Sequence, residues 1–221
     1  MKTRYGLAFT LVATLLLVGG CQSAEKKRSL LVDQHLALAE KKNKLGDRTA
    51  ALKEINTALA IEPNSERALM RRGGIYSEMG SDDAALKDFN SILKLNPASP
   101  AAYVGIAEVQ KRQKDFAGAM ASLEKALEMV PDMAPIIMSR GEVYASTGDF
   151  DRAIQDFTRA IDLEPGLYRA HLLRAYAYMA TGDTKRALGD LTVVRENSRD
   201  SILIHRANQL IYQLTAPEPA K

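Results

Sequence analysis

Pro63, Pro97, Pro131 and Pro165 stand 34 residues apart. A fixed period of that length restricts the chain to an array of one repeated supersecondary unit, each copy burying its apolar face against the next. With the prolines at position 32, units run 32–65, 66–99, 100–133, 134–167 and 168–201 without a gap. Position 20 is Ala51, Ala85, Ala119, Ala153 and Ala187, a small residue where two helices of one unit must approach closely. Position 15 is Gly46, Gly80, Gly148 and Gly182, with Lys114 in the third unit, which predicts a left-handed residue closing one helix before another starts. Packing columns lie at helical spacing: Ala39, Gly73, Ala107, Gly141 and Ala175 at position 8, Tyr76, Tyr144 and Tyr178 at position 11, and Ile55, Phe89, Leu123, Phe157 and Leu191 at position 24.

These columns resemble the tetratricopeptide repeat (TPR) family, with its small residue at 8, Tyr at 11, Ala at 20 and 27 and Pro at 32, matched best by repeats two and four. The resemblance covers 32–201 and implies an all-α fold, a right-handed superhelix (α-solenoid) of five helix-turn-helix repeats. Repeat five has Val194 at position 27 and Arg199 in place of the proline, so its second helix is expected to end differently. Residues 202–214 read as a capping helix over the apolar face of the last repeat. The two prolines within 215–221 mark a disordered tail.

Residues 1–20 have the layout of an export signal: Lys2 and Arg4, an apolar run from Leu7 to Val18, then Gly19 and Gly20 before Cys21, the single cysteine. That run is too short to span a membrane. LVGGC resembles the bacterial lipobox, which implies cleavage before Cys21 and a diacylglycerol thioether on its sulfur, with acyl chains such as palmitate. An unpaired thiol would be unusual in an oxidising compartment, so lipidation gives it a purpose. Gln22 is not the aspartate of inner-membrane retention in enteric-type sorting, which favours the periplasm-facing leaflet of the outer membrane. Residues 21–31, with Lys26, Lys27 and Arg28, read as a polar tether. The net charge of +3 nearly vanishes in the mature chain, because losing Lys2 and Arg4 leaves 28 basic against 27 acidic residues. That balance gives no reason to expect nucleic acid as a partner.

Residues that resemble chemistry have plainer readings. His35, His171 and His205 all fall at position 4, where the family places a bulky ring, so packing is expected. With helices spaced roughly 10 Å apart, His35 and His171 cannot share a metal. Glu40, Glu108 and Glu142 at position 9 have no nucleophile, metal cluster or phosphate loop nearby and read as a solvated groove edge. No catalytic residue, cofactor, metal or small-molecule substrate is therefore assigned. Position 7 is more informative. Arg72, Arg140 and Arg174 occur in the three repeats whose position 23 is Asp88, Asp156 and Asp190, whereas repeat three has Ile106 with Ser122 and repeat one Leu38 with Glu54. This covariation predicts guanidinium–carboxylate pairs between the two helices of a unit.

The TPR resemblance implies a concave wall lined by positions 2, 5, 9, 12 and 13 of each first helix. Position 5 supplies Leu36, Met70, Val104, Met138 and Leu172, repeat five adds Tyr176 and Met179, and Arg67, Glu108, Lys111, Arg112, Glu142 and Arg169 surround them with mixed charge. Methionine adapts readily to irregular partners, so this wall is expected to hold an extended peptide or protein surface. The carboxylate clamp of chaperone-binding TPRs, Lys at 5 and Asn at 9, is absent. The expectation is a non-enzymatic, lipid-tethered scaffold for envelope proteins in pilus or secretion-complex assembly. The alternatives are an adaptor for peptidoglycan hydrolases and an envelope enzyme.

Overall fold

The computed structural model describes residues 5–216, with side chains from Glu25 onward. The cleavage and lipidation chemistry expected at Cys21 and the end of the expected tail, 217–221, lie outside those described side chains and residues. Among the described residues the fold is all-α, eleven helices and no strand. Two compact units divide the chain, 1–97 and 98–221.

The first unit holds α1 (Tyr5–Lys44), α2 (Arg48–Ile61), α3 (Glu66–Glu78) and α4 (Asp82–Leu95), which are repeats one and two. Residues 21–31, read as a tether, are helical and continuous with the first helix of repeat one. No Gly or Pro interrupts 21–44, and Ala24, Glu25, Lys26, Lys27 and Arg28 are strong helix formers, so nothing stops the helix there. Arg28 donates to the Ile61 carbonyl at 2.8 Å, closing this segment onto the end of α2. No helix of the described residues is long and apolar enough to cross a membrane.

The second unit holds α5 (Pro100–Arg112), α6 (Phe116–Met129), α7 (Ala134–Ser146), α8 (Phe150–Leu163), α9 (Tyr168–Ala180), α10 (Thr184–Asn197) and α11 (Ser201–Thr215), which are repeats three to five and the expected cap. Each helix packs on the next, and α9 also touches α7 and α11.

All five repeats share one turn, and four share one cap, repeat two having Ser81 with no side-chain cap bond. Gly46, Gly80, Gly148 and Gly182 have φ of 81°, 72°, 84° and 81°, and Lys114 adopts the same left-handed turn at 62°. One residue later, Asp47, Asp115, Asp149 and Asp183 cap the second helix, each accepting from the backbone N–H three residues on at 2.9–3.1 Å. Although repeat five lacks the proline, α10 ends at Asn197, the same position 30 at which α2, α4, α6 and α8 end. Only the cap differs, Ser198 being extended at φ −72°, ψ 150° where Glu164 has −139°, 84°. Asp200 then starts α11 by accepting from Ile202 N at 2.8 Å and Leu203 N at 3.3 Å.

The position 20 alanines are fully buried. Position 8 is set by its partner at position 24. A Cβ on Gly73 or Gly141 would stand 2.7 Å from a ring carbon of Phe89 or Phe157, whereas Ala39, Ala107 and Ala175 occur where position 24 is Ile55, Leu123 or Leu191. Ring and methyl compete for one volume, and close packing admits one of them.

Candidate functional site

Polar clasps between the paired helices hold the first helix of each repeat in place. Arg72 Nε and Nη2 donate to the two Asp88 carboxylate oxygens at 2.8 Å each. Arg140 does the same to Asp156 at 2.8 and 2.7 Å, and Arg174 to Asp190 at 2.8 Å twice. The three aspartates are buried, 2%, 6% and 5% exposed, so each carboxylate depends on this planar fork. The hydrogen bond to aspartate holds each guanidinium above its ordinary pKa, against the opposing effect of burial. Arg72 and Arg174 also reach the preceding repeat, donating to Asn56 Oδ1 at 2.8 Å and Thr158 Oγ1 at 2.9 Å.

The repeats without arginine still satisfy position 23, which the sequence reading missed. In repeat one Glu54 lies 2.8 Å from His35 Nδ1 and accepts from Lys42 Nζ at 2.6 Å. In repeat three Ser122 donates to Gln110 Oε1 at 2.8 Å. His171, buried as expected at position 4, is more than a packing ring, because its Nδ1 lies 2.9 Å from Asp190 Oδ1. Burial pushes the Asp190 carboxyl up, but hydrogen bonds from Arg174 and His171 and their charges together hold it below the usual carboxylate range. His205 is exposed, 3.0 Å from Gln209. The signal available was the recurrence of position 4 histidines opposite a carboxylate 19 residues later.

The site itself is a recess of about 660 Å³ on the first helices of the second unit. Glu108, Lys111 and Arg112 of α5 form one bank, Glu142, Ala145 and Ser146 of α7 the floor, and Arg169, Leu173 and Tyr176 of α9 the other bank, with Lys114 and Phe116 at the turn into α6. Glu142, whose side chain is 12% exposed, accepts from Lys111 Nζ at 2.5 Å and Arg169 Nη2 at 2.7 Å, while Glu108 accepts from Lys111 at 3.0 Å. Glu142 is thus a covered, doubly bonded carboxylate joining three successive first helices, where a solvated edge was expected. Tyr176 stands under Arg206 of α11, which donates to its hydroxyl and lies 5.7 Å over its ring.

Position 5, expected to line the wall, mostly does not. Leu36, Met138 and Leu172 are buried at 4%, 8% and 7% exposure, Met70 and Val104 are half-buried, and Met138 belongs to the core around Phe157. Position 5 stands about 60° round the helix from position 2, towards the buried position 8, and therefore packs. Met179 likewise packs on the core of α9, α10 and α11. Of the expected partner-facing residues, Glu108, Arg112, Glu142 and Tyr176 meet in the recess, joined by Leu173 at position 6 and by Phe116 and Lys114 from the turn. Leu173 was legible as the large apolar member of a column otherwise Ala37, Arg71, Gly105 and Ser139.

The first unit has a smaller recess of about 280 Å³ on α1 and α3, lined by Ala39, Ile55, Gly74 and Ile75 among others. Glu40 at its rim accepts from Lys44 at 2.9 Å and Arg71 at 3.0 Å. No group of three or more His, Cys, Asp or Glu able to hold a metal occurs among the described residues.

Residues 36–100, 76–134 and 138–201 match the sequence profile of the tetratricopeptide repeat, over more than half of the chain. The chain belongs to the TPR family. No curated protein matches it. Among solved structures it is similar to a thermophilic TPR protein of Thermus thermophilus, with 23% identity, 81% of this chain and 98% of that one covered, and a TM-score of 0.72. It is also similar to PilW, a widely conserved type IV pilus biogenesis factor (20%, 83% and 93%, 0.66), and to YrrB, a TPR protein with an unusual peptide-binding site (18%, 85% and 97%, 0.55). At these identities the likeness shows the fold. TPR repeats of this kind are generally non-enzymatic platforms for protein–protein interaction, and the fold supports that role here.

Proposed function

We propose that this TPR protein is a lipid-anchored scaffold of the bacterial envelope that holds a polypeptide partner in the recess of its second unit. The carrying observation is the recess itself, apolar at Phe116, Ala145, Leu173 and Tyr176 and charged at its rim, too open to enclose a small substrate and suited to an extended chain. Cys21 carries the anchor in this reading, at the periplasmic face of the outer membrane. Confinement to a membrane plane raises effective partner concentration without any new contact. The likeness to a pilus biogenesis factor supports a role in pilus or secretion-complex assembly.

Chemical crosslinking in intact envelopes followed by affinity capture tests this. Wild-type protein should retain a defined partner, Cys21→Ser should lose recruitment to the membrane, and Ser146→Trp, which fills the recess from an exposed position, should lose the partner while keeping its melting temperature. Unchanged capture by Ser146→Trp removes the recess from consideration. Mass spectrometry of the mature amino terminus checks the anchor: an unmodified thiol at Cys21 contradicts it.

A further inference from the structure

The recess of the first unit, on α1 and α3, has two properties that packing does not account for. Asn43, in the last turn of α1, lines it, and the Asn43 Oδ1 is buried without a hydrogen-bond partner among the described residues. Buried carbonyl oxygens are almost always satisfied, and one left alone has lost its hydration for nothing in return. A donor arriving from the recess, with a small turn of the amide about its side-chain torsions, supplies the bond that the helices do not.

The second property is Gly74. Its neighbour Gly73 is explained by packing, since a Cβ there would stand 2.7 Å from the Phe89 ring, but a Cβ on Gly74 would meet nothing within 4 Å. Glycine weakens a helix interior relative to alanine, so a side chain would be expected here. Position 9 carries Glu142 and Tyr176 in repeats four and five. At Gly74 it carries only hydrogen, and the recess stays open.

The walls narrow the ligand. Ala39, Ile55 and Ile75 are apolar, and the rim charges are spent on one another, Glu40 being held by Lys44 and Arg71 and Glu78 by Arg48. The volume of about 280 Å³ falls just below the roughly 300–1,000 Å³ of small-molecule sites and suits one large side chain. An uncharged, mostly apolar group with a single donor fits these walls, and an indole is such a group, its Nε1–H donating and accepting nothing. We infer that this recess binds a tryptophan side chain of a partner polypeptide, its Nε1–H donating to Asn43 Oδ1 and its ring lying over Gly74. None of the 221 residues is tryptophan, so the occupant is neither a segment of this chain nor a second copy of it. The site shares no residue with the recess of the second unit, so either can fail alone.

The test uses full-length protein in detergent and a short capped peptide of glycine and serine around one tryptophan, with a naphthylalanine twin that keeps the ring area and lacks the N–H. Because the protein contains no tryptophan, indole emission reports the peptide alone. Titration should shift that emission to shorter wavelength and saturate, and the naphthyl twin should compete roughly tenfold more weakly. Asn43→Asp retains an acceptor and should preserve the preference, while Asn43→Leu should erase it. Gly74→Leu places a side chain in open space on a helix, so it should abolish binding of both peptides while keeping or raising the melting temperature. The inference is overturned by the lack of a saturable shift, by equal affinity for the two peptides in wild type, or by a preference that survives Asn43→Leu. A shift retained by Gly74→Leu is partitioning into detergent and overturns it too.

Discussion

Repeats three and four are consecutive in the second unit and share helix lengths, turn and cap, yet they fill the same slots with different chemistry. Repeat four clasps its helices with Arg140 and Asp156, places Tyr144 at position 11, Gly141 under Phe157, and Gly148 in the turn. Repeat three has Ile106, Gln110 bonded to Ser122, Ala107 under Leu123, and Lys114. The residues change as sets, which shows that the backbone fixes a volume and a polar requirement, and that any self-consistent filling serves. Lys114 is a different case, a side chain held at φ 62° where repeat four has Gly148 at 84°.

The sharpest way to break the comparison is to remove one member of a set. Asp156→Ala leaves the Arg140 guanidinium half-buried without its carboxylate and should cost about 3 kcal/mol, whereas Ser122→Ala in repeat three should cost about 1 kcal/mol. Adding Arg140→Leu to Asp156→Ala should recover much of the loss by chemical denaturation. A double variant as unstable as the single would reject the clasp as a coupled pair. Next, Gly141→Ala drives a methyl into the Phe157 ring and should cost about 2 kcal/mol. Combining it with Phe157→Leu converts repeat four to the filling of repeat three and should cost less than the sum of the two single changes. Smaller still, Lys114→Gly should stabilise by about 1 kcal/mol, read as a raised melting temperature.

The pH dependence of a clasp separates the two repeats as well. Because the folded-state pKa of Asp190 is depressed, its contribution to stability is fully present above the ordinary aspartate value of about 3.9 and is lost as pH falls through the lower folded value. Asp190→Asn should therefore be less stable than wild type near neutrality, with the gap narrowing below about pH 4. Ser122→Ala should show a gap independent of pH in that range. A parallel pH profile for both variants would contradict the assignment.

The repeat boundaries, the turn glycines, the alanines at position 20 and the Arg–Asp pairs were legible because each recurs at a fixed interval and answers a local steric or electrostatic demand. The wall of the recess was less so. Position 5 was read as partner-facing because the TPR resemblance implies it, but its apolar character suits a buried flank, and Met138 and Leu172 went inward. Glu142 looked solvated because its partners, Lys111 and Arg169, come from other repeats at separations that follow no helix period. The coupling of Gly141 with Phe157 and of Ala107 with Leu123 was present in the columns, and it became interpretable only once ring and glycine were seen to occupy one volume.

Site-specific photocrosslinking of the full-length protein in living cells tests most directly where a partner is held. A benzoylphenylalanine replacing Tyr176, in the recess, should give a discrete higher-mass adduct, and one replacing Glu124, exposed on α6, should give none. An adduct from the Glu124 position with none from Tyr176 would contradict the account, placing the partner on the second helices instead.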